Sequence, residues 1–174
     1  IYKKKAVFLS TQAKDDAPHY QHSIVGYNYR LSNVCAGIGR GQMEVINDRV
    51  ALRRKNHEFY KEIFTSFVGV NFFSEPSLDF FSNHWLNAVI IDPNKTNGFR
   101  SEDLRYEFQK ENIESRPLWK PMHMQPLFNK AEYFGTIIAE RLFKFGLCLP
   151  SGSNMSNKDR ERISEVIYKV FKAK

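Results

Sequence analysis

The chain has 174 residues, of which 42% are hydrophobic, and this composition is typical of a soluble globular domain with a core of its own. Its 26 basic residues outnumber its 19 acidic ones and leave a formal net charge of +7, so the surface is expected to attract anions. No apolar run approaches the roughly 20 residues that span a bilayer, the first residues lack a signal-peptide pattern, and the 2 cysteines make neither a disulfide framework nor a zinc site. These features exclude a membrane-spanning protein, a disulfide-rich secreted protein and a disordered tail, and they favour a cytoplasmic location with free thiols.

The N-terminal stretch predicts one helix and a loop. Residues 1–9 mix apolar side chains with three lysines and are expected to form a short helix, whereas residues 10–23 are polar and contain Pro18. Because the sequence begins with Ile1 rather than methionine, we expect a processed chain or a part of a longer one, whose function needs a segment that lies outside it.

The following stretch predicts long helices. Residues 31–67 contain no proline, and their apolar residues recur at helical spacing, with Ser32 as the expected N-cap. Asn47 and Asp48 are the expected position of a break or bend, so the pattern predicts two consecutive helices or one long bent helix.

Shorter elements follow. Two runs of β-branched and aromatic residues predict strands, and turn residues follow the second of them. The predicted elements are strands at 68–73 and 85–91, a helix that opens at Ser101, an extended segment at 113–119, a helix at 137–145 that stops at Gly146, a strand at 147–149, and a last helix behind a capping box of Ser156 and Asp159. This order predicts an α+β fold with helices on a small, mostly antiparallel sheet. We expect a helical lead-in over residues 1–45 and a small α+β domain over residues 46–174.

Gly37, Gly39 and Gly41 superficially resemble a nucleotide-binding loop. A dinucleotide fingerprint requires a preceding strand and the spacing GxGxxG, whereas these glycines have the spacing GxGxG inside a helical pattern. The pattern therefore favours close packing of another backbone over phosphate binding.

His19 and His22 form an HxxH pair in the polar loop. A metal site would need further ligands, and no acidic or cysteine cluster of the right kind lies nearby in the sequence. Hydrogen bonding to a polar ligand, together with Gln12 and Tyr20, is the better functional interpretation, and no metal is predicted.

Two basic clusters, Lys3–Lys5 and the arginines Arg49, Arg53 and Arg54, lie among many aromatic residues. Such a combination suits single-stranded nucleic acid. Most of the aromatics fall at predicted core positions, however, so solvated helix faces are the favoured interpretation and no nucleic-acid partner is expected.

Two segments concentrate residues that recognise phosphates and sugars. The segment 26–32 (GYNYRLS) places an amide, two phenols and a guanidinium before a helix start, where an anion is favoured. The segment 116–125 (RPLWKPMHMQ) places cations, an indole and an imidazole on a backbone stiffened by two prolines. On residue type alone, a capped turn with core tyrosines and a proline-stiffened strand end explain these segments about equally well.

Taken together, these segments resemble the C-terminal part of the pyridoxal phosphate-dependent sugar-nucleotide aminotransferases, the DegT/DnrJ/StrS family of fold type I. The residues that carry the resemblance are 26–32, Gln42-Met43-Glu44, 116–125, and 146–153 (GLCLPSGS). Residues 10–13 (STQA) and 19–22 (HYQH) look especially like the UDP-bacillosamine branch, which aminates the 4-keto group of UDP-2-acetamido-2,6-dideoxy-4-hexulose with glutamate.

The resemblance implies a role for individual residues. Asn28 matches the asparagine that reaches the phosphate of pyridoxal 5'-phosphate in the partner subunit of a homodimer, and Arg30 belongs to the same cofactor-binding motif. Residues expected to bind the sugar nucleotide are His22, Tyr29, Arg116, Trp119, Lys120 and His123. The resemblance also places Gly37–Gly41 on the dimer side of the family fold.

One departure from the family pattern matters for activity. The family's Schiff-base lysine and its acidic partner lie in the large N-terminal domain, upstream of the position that matches Ile1, and none of the lysines here lies in a matching motif. We therefore expect no catalytic residue in this chain, and the chain alone to be inactive.

Two other functions stay open at this point. The enzyme could act on another keto sugar nucleotide, which assays on a panel of substrates would reveal. A stand-alone binding module for a sugar nucleotide or a nucleic acid is the alternative from another class, and nucleic-acid binding would weaken steeply with salt.

Overall fold

A computed structural model describes residues 1–172 of the chain. The chain divides into two compact units, Ile1–Ile46 and Asn47–Lys174. Over the described residues, every helix is too short or too polar to cross a membrane.

The first unit contains the helices α1 (Tyr2–Ser10) and α2 (Asn33–Glu44) and the loop between them. The end of this loop returns to the end of α1, where Thr11 and Asn28 form an isolated antiparallel bridge. Ala13 is the only buried hydrophobic residue among the described residues of this unit. Such limited apolar burial contributes little to the stability of this unit.

The second unit is a four-stranded antiparallel sheet with helices. Its strands lie in the order β1-β2-β4-β3, and the pairs β1–β2, β2–β4 and β3–β4 are all antiparallel. The elements are α3 (Ile46–Phe64), β1 (Val70–Phe72), β2 (Asn87–Ile91), α4 (Ser101–Lys110), β3 (Arg116–Pro117), two 3₁₀ turns (Met122–Met124 and Pro126–Phe128), α5 (Ile138–Phe145), β4 (Gly146–Leu149) and α6 (Asn157–Lys172).

The hydrophobic core lies between α3, α4, α6 and the sheet. Val89 and Ile91 alternate along β2 and are fully buried, as the two-residue period of a strand requires. The helices contribute large side chains at helical spacing, among them Tyr60, Phe64, Leu104, Phe108, Ile163 and Ile167. This core fixes the loops that follow β4 and precede β2, where most of the polar groups described below are found.

The predicted α+β fold with a small antiparallel sheet is confirmed, as is the order of its elements. Ser32 caps α2, since its Oγ accepts from the backbone N–H of Cys35 at 3.2 Å. The predicted capping box of α6 is also present, because Ser156 N–H donates to Asp159 at 2.8 Å and Asp159 N–H donates to the Ser156 hydroxyl at 3.2 Å.

One local prediction is wrong, since the break between α2 and α3 lies at Val45, before the expected Asn47-Asp48. Tyr27 and Tyr29 are 47% and 78% exposed, which excludes the alternative, left open above, that they are core residues. Helix α4 begins at Ser101, as predicted, and its N-cap is Arg100, whose backbone N–H donates to Asp103. Within the segment 113–119, Arg116–Pro117 pairs with β4, and Pro117 has no N–H for a longer ladder.

Candidate functional site

The segment 26–32 is held against the end of α1 by backbone contacts. Tyr27 N–H donates to the Leu9 carbonyl at 2.7 Å, and Tyr29 N–H donates to the Ser10 carbonyl at 3.0 Å. A Cβ on Gly26 would lie 2.1 Å from the backbone carbon of Gln12, so only glycine allows this approach. The geometry fixes the backbone of the segment while its side chains point into solvent.

Asn28 and Arg30 present unpaired donors. Both side chains are exposed, and neither makes a hydrogen bond or an ion pair with any of residues 1–172. Two residues beyond Arg30, the capped N-terminus of α2 adds a positive partial charge. An amide, a guanidinium and a helix N-terminus are donors that suit a phosphate group, so the segment could bind one.

The neighbouring residues Tyr29 and His22 are also held in place. Tyr29 stacks on Tyr27 with ring centroids 5.0 Å apart. His22 Nδ1 lies 2.9 Å from the Gln12 carbonyl and therefore donates to it. The ring nitrogen Nε2 of His19 lies 3.2 Å from the Gln21 amide oxygen, so the HxxH pair is used within its own loop. In the described residues, neither histidine belongs to a group with metal-ligand geometry.

The three glycines of α2 are not part of a loop. Gly37, Gly39 and Gly41 are exposed, and apart from the backbone of their own helical turns and their chain neighbours, no described atom lies within 4 Å of the position of a Cβ at any of them. Since no strand precedes them, the dinucleotide interpretation is excluded. Close packing against another backbone stays a prediction.

In the second unit, the residues of segment 116–125 differ in how far they are already engaged. Arg116 donates twice to Oε1 of Glu114, at 2.8 and 2.6 Å, so its charge is partly satisfied at an exposed position. Lys120 is exposed and has no ion pair among residues 1–172. Trp119 is 67% exposed and lies beside Trp85, with ring centroids 6.2 Å apart.

His123 is the most firmly held side chain of this segment. Its Nε2 lies 3.1 Å from Oε1 of Glu140 on α5, and its ring stacks on Tyr133 at 3.7 Å. The Tyr133 hydroxyl donates in turn to the Thr136 carbonyl at 2.8 Å. Because the carboxylate of Glu140 can only accept, Nε2 of His123 carries the hydrogen that is donated to it. In the neutral tautomer, Nδ1 is then the nitrogen that can accept a hydrogen bond from a ligand.

Sequence reasoning missed a buried polar cluster between α3 and the loop before β2. His57 and His84 are buried, and Nε2 of His84 lies 3.1 Å from Oε1 of Glu75. Burial lowers the pKa of both imidazoles. The Arg54 guanidinium, 2.7 Å from the same carboxylate oxygen, lowers the pKa of Glu75 to about 2. His57 and Arg54 lie on α3, whereas Glu75 and His84 lie in the loop before β2, so no local sequence spacing reveals the cluster.

The donor set of this cluster could in principle hold a metal ion, since one ligand atom of each of His57, Glu75 and His84 lies within 4.8 Å of the others. The two rings are, however, nearly parallel at 14°, so their in-plane lone pairs do not converge on one point. Both ring nitrogens of His57 are also already hydrogen-bonded, Nδ1 to the Asn87 side chain at 3.1 Å and Nε2 to the Ser74 hydroxyl at 3.2 Å. The cluster therefore has a structural role.

Arg53 and Arg54 are structural as well, which corrects the prediction of a solvated basic face at these two positions. Both are half-buried. Arg53 donates to the carbonyls of Trp85 at 2.6 Å and Ser151 at 3.1 Å, and Arg54 donates to the Ser82 carbonyl at 2.5 Å. They connect α3 to the loops around it.

The conspicuous GLCLPSGS motif forms β4 and the turn that follows it. The hydroxyl of Tyr60 donates to the Pro150 carbonyl at 2.8 Å, and the amide of Asn56 donates to the Gly152 carbonyl at 2.9 Å. Ser151 Oγ accepts from the backbone and the side chain of Asn87 at 2.8 and 3.1 Å. The motif thus shapes one wall of a cleft of about 580 Å³, whose other wall includes Ser115, Arg116 and Arg162.

Comparison with known proteins decides the family. A model of the DegT/DnrJ/EryC1/StrS aminotransferase family matches residues 1–168. The chain belongs to this family. It is 44% identical over 172 residues to EpsN of Bacillus subtilis, a protein to which a pyridoxal phosphate-dependent aminotransferase activity is provisionally assigned, and the match covers 97% of the chain and 43% of EpsN. It is 34% identical over 155 residues to a GDP-perosamine synthase of Escherichia coli O157:H7, with 89% of the chain and 40% of that enzyme covered.

Solved structures of aminotransferases share the fold. The aminotransferase TlmJ of Streptoalloteichus hindustanus superposes with a TM-score of 0.82 at 18% identity, over 98% of this chain and 44% of TlmJ. Helicobacter pylori PseC, an aminotransferase involved in the biosynthesis of pseudoaminic acid, gives a TM-score of 0.75 at 17% identity, over 98% of the chain and 46% of PseC. The chain thus spans less than half the length of each of these relatives.

Proposed function

We propose that the whole protein is a pyridoxal phosphate-dependent aminotransferase that replaces the keto oxygen of a sugar nucleotide with an amino group from glutamate. The proposed substrate is a UDP-2-acetamido-2,6-dideoxy-4-ketohexose, as in the UDP-bacillosamine branch. The proposal is supported by the family match over residues 1–168 and, above all, by the unpaired donors of Asn28 and Arg30 beside the N-terminus of α2.

In this proposal, the chain contributes phosphate donors to a cofactor held by the partner subunit of a homodimer. Asn28 would donate through its amide and Arg30 through its guanidinium, so both would orient the phosphate and Arg30 would offset part of its charge. Pyridoxal phosphate, when bound, supplies the carbonyl chemistry that carries an amino group from glutamate to the keto sugar. Because the chain has no lysine in a matching motif, we propose that it is inactive alone.

The remaining predicted residues would bind the sugar nucleotide. Lys120 carries an unpaired charge for the diphosphate, and His123 presents Nδ1 to a sugar hydroxyl or phosphate oxygen. Trp119 offers an aromatic face, and Arg116 can exchange Glu114 for a phosphate because both are exposed. His22 and Tyr29 would line the cofactor end of the site.

A GDP-linked keto sugar is the second candidate substrate, and the GDP-perosamine synthases among the relatives favour it. The experiment that separates the candidates is an assay of the whole protein with pyridoxal phosphate and glutamate on UDP-, GDP- and TDP-linked keto sugars. Amination of the UDP-linked substrate with the highest kcat/KM supports the first proposal, and preference for a GDP-linked one supports the second. Binding of these nucleotides without amination of any would leave a non-catalytic binding module.

A further inference from the structure

Both tryptophans of the chain, Trp85 and Trp119, lie together on one exposed surface of the second unit. They are 34 residues apart in sequence, and the two residues are 60% and 67% exposed. Tryptophan is highly buried on average, so an exposed pair is unusual for a residue with so much apolar area.

The backbone beneath each indole is rigidly held. The Trp85 carbonyl accepts from Arg53 at 2.6 Å, and its N–H donates to the Asn83 side chain at 3.1 Å. His84, directly before Trp85, has a φ of 45°, a left-handed conformation that non-glycine residues rarely adopt. A platform presented by a fixed backbone loses little entropy when a ligand stacks on it.

Trp119 is anchored differently, through its neighbours. It lies between Pro117 and Pro121, which restrict the backbone on both sides. The side chain of the preceding Leu118 fills the space beside Gly146, with its Cδ1 2.1 Å from the position of a Cβ there. The indole therefore projects outward because the residue before it is packed inward.

A cation accompanies this aromatic surface. Lys120 follows Trp119 directly and has no ion pair among residues 1–172, whereas nearby Arg116 is paired with Glu114. Planar aromatic faces stack on any nucleobase, and a free ammonium binds phosphate as a point charge. The combination matches a nucleotide better than a sugar or a carboxylate alone.

We propose that Trp85 and Trp119 form a stacking platform for the nucleobase of the sugar nucleotide and that Lys120 binds its diphosphate. The inference rests on the proposed function and adds to it Trp85 and the part of the substrate that the pair contacts. Stacking is tolerant of base identity, so the platform sets affinity for nucleotides while other groups select the base.

The test is calorimetric titration of the whole holoenzyme with UDP, GDP, uridine and ribose 5-phosphate. Trp85→Ala is expected to weaken UDP and GDP binding about tenfold and uridine binding similarly, without changing ribose 5-phosphate binding. Trp85→Phe keeps an aromatic face and is expected to stay within about threefold of the wild type. Lys120→Met is expected to weaken the binding of UDP but not that of uridine.

Phe80→Ala, which removes another aromatic residue of 60% exposure, is the matched control and is expected to bind every probe like the wild type.

Three results would overturn the platform. One is equal UDP affinity of Trp85→Ala and Phe80→Ala. Another is a loss of ribose 5-phosphate binding in Trp85→Ala that equals its loss of UDP binding. A third is protection of both indoles from acrylamide quenching in the ligand-free holoenzyme, which would mean that other parts of the protein cover them. The platform can fail in these ways while the wild type still binds and aminates sugar nucleotides. If the wild type binds neither UDP nor GDP, the proposed function fails with it.

Discussion

The imidazole rings of His57 and His84 stack face to face, with centroids 3.6 Å apart and planes 14° apart. Both side chains are buried where α3 meets the loop that leads into β2, and each has a polar partner at its edge. Two neutral rings can lie this close, but two protonated rings would repel each other in a poorly solvated site. The pair therefore ties the stability of this part of the fold to pH.

Burial lowers the pKa of His57 and His84 below the ordinary value of 6.5, so the unfolded chain takes up protons first as the pH falls. The stability that the neutral pair provides is complete above about pH 6.5 and declines as the pH falls below it. Urea unfolding between pH 8 and pH 5 measures this decline. His84→Gln is expected to flatten it, and the exposed His19→Gln is expected to leave it unchanged; a decline equal to that of the wild type in His84→Gln would refute the assignment.

Glu75, the carboxylate beside the histidine pair, titrates in a different pH range. Glu75 has a pKa of about 2 because Arg54 and the Ser82 N–H hydrogen-bond to it, so it stays ionised throughout the range from pH 8 to pH 5. Its own contribution to stability is lost only as the pH falls below the ordinary value of 4.5. The two effects therefore occupy different pH windows and can be measured separately.

Gly146→Ala is expected to destabilise the second unit by about 1–3 kcal/mol. A Cβ at this position would lie 2.1 Å from Leu118 Cδ1 and 2.4 Å from the Leu142 carbonyl, and the carbonyl cannot yield without distorting α5. Chemical denaturation measures the change. Gly152→Ala is the control, because only the flexible Asn154 side chain approaches there; equal stability of the two variants would contradict the prediction.

Tyr60→Phe is expected to cost about 1–2 kcal/mol although it changes only one atom. The buried hydroxyl donates to the Pro150 carbonyl, and its removal leaves that carbonyl without this partner in the turn after β4. Burial raises the pKa of Tyr60, so the hydroxyl stays protonated and keeps donating at alkaline pH. The unfolding free energy of the variant tests this, with the exposed Tyr2→Phe as control. A loss below 0.3 kcal/mol, about the size of a neutral surface change, would argue against it.

Glu140→Ala is expected to raise the KM for the sugar nucleotide about tenfold with a smaller change in kcat, because His123 loses the acceptor that orients its ring. Glu140→Gln retains an acceptor oxygen and is expected to stay within about threefold of the wild type. The exposed Glu132→Ala, in the loop before α5, is the control. Similar KM values for Glu140→Ala and Glu132→Ala would mean that the contact does not position His123 for substrate.

Much of the fold could be predicted because local signals agree with packing. The capping box of Ser156 and Asp159 begins α6, and Ile163 and Ile167 follow at the spacing that buries them against the sheet. The break at Val45 could not be located, since neither its residue type nor its neighbours carry a breaker signal. The sequence predicted an extended segment at 113–119 but not its pairing, and Pro117, which has no N–H, limits the ladder of β3.

The polar contacts between elements could not be predicted from the sequence, for a different reason. Arg53 and Arg54 look like a solvated basic face, yet they donate to carbonyls 28 to 98 residues away. The position of Trp85 beside Trp119 likewise depends on the sheet that brings two loops together. Such pairs arise from tertiary structure, which a pattern within one window of sequence does not contain.

The most direct test of the central proposal is to incubate the whole protein with pyridoxal phosphate, glutamate and a UDP-2-acetamido-2,6-dideoxy-4-ketohexose, and to identify the sugar nucleotide products by mass spectrometry. We expect an amino group in place of the keto oxygen for the wild type. Asn28→Ala is expected to show at least a tenfold lower affinity for pyridoxal phosphate, with the exposed Asn94→Ala unchanged. Absence of any aminated product, or an Asn28→Ala variant with wild-type cofactor affinity, would contradict the account.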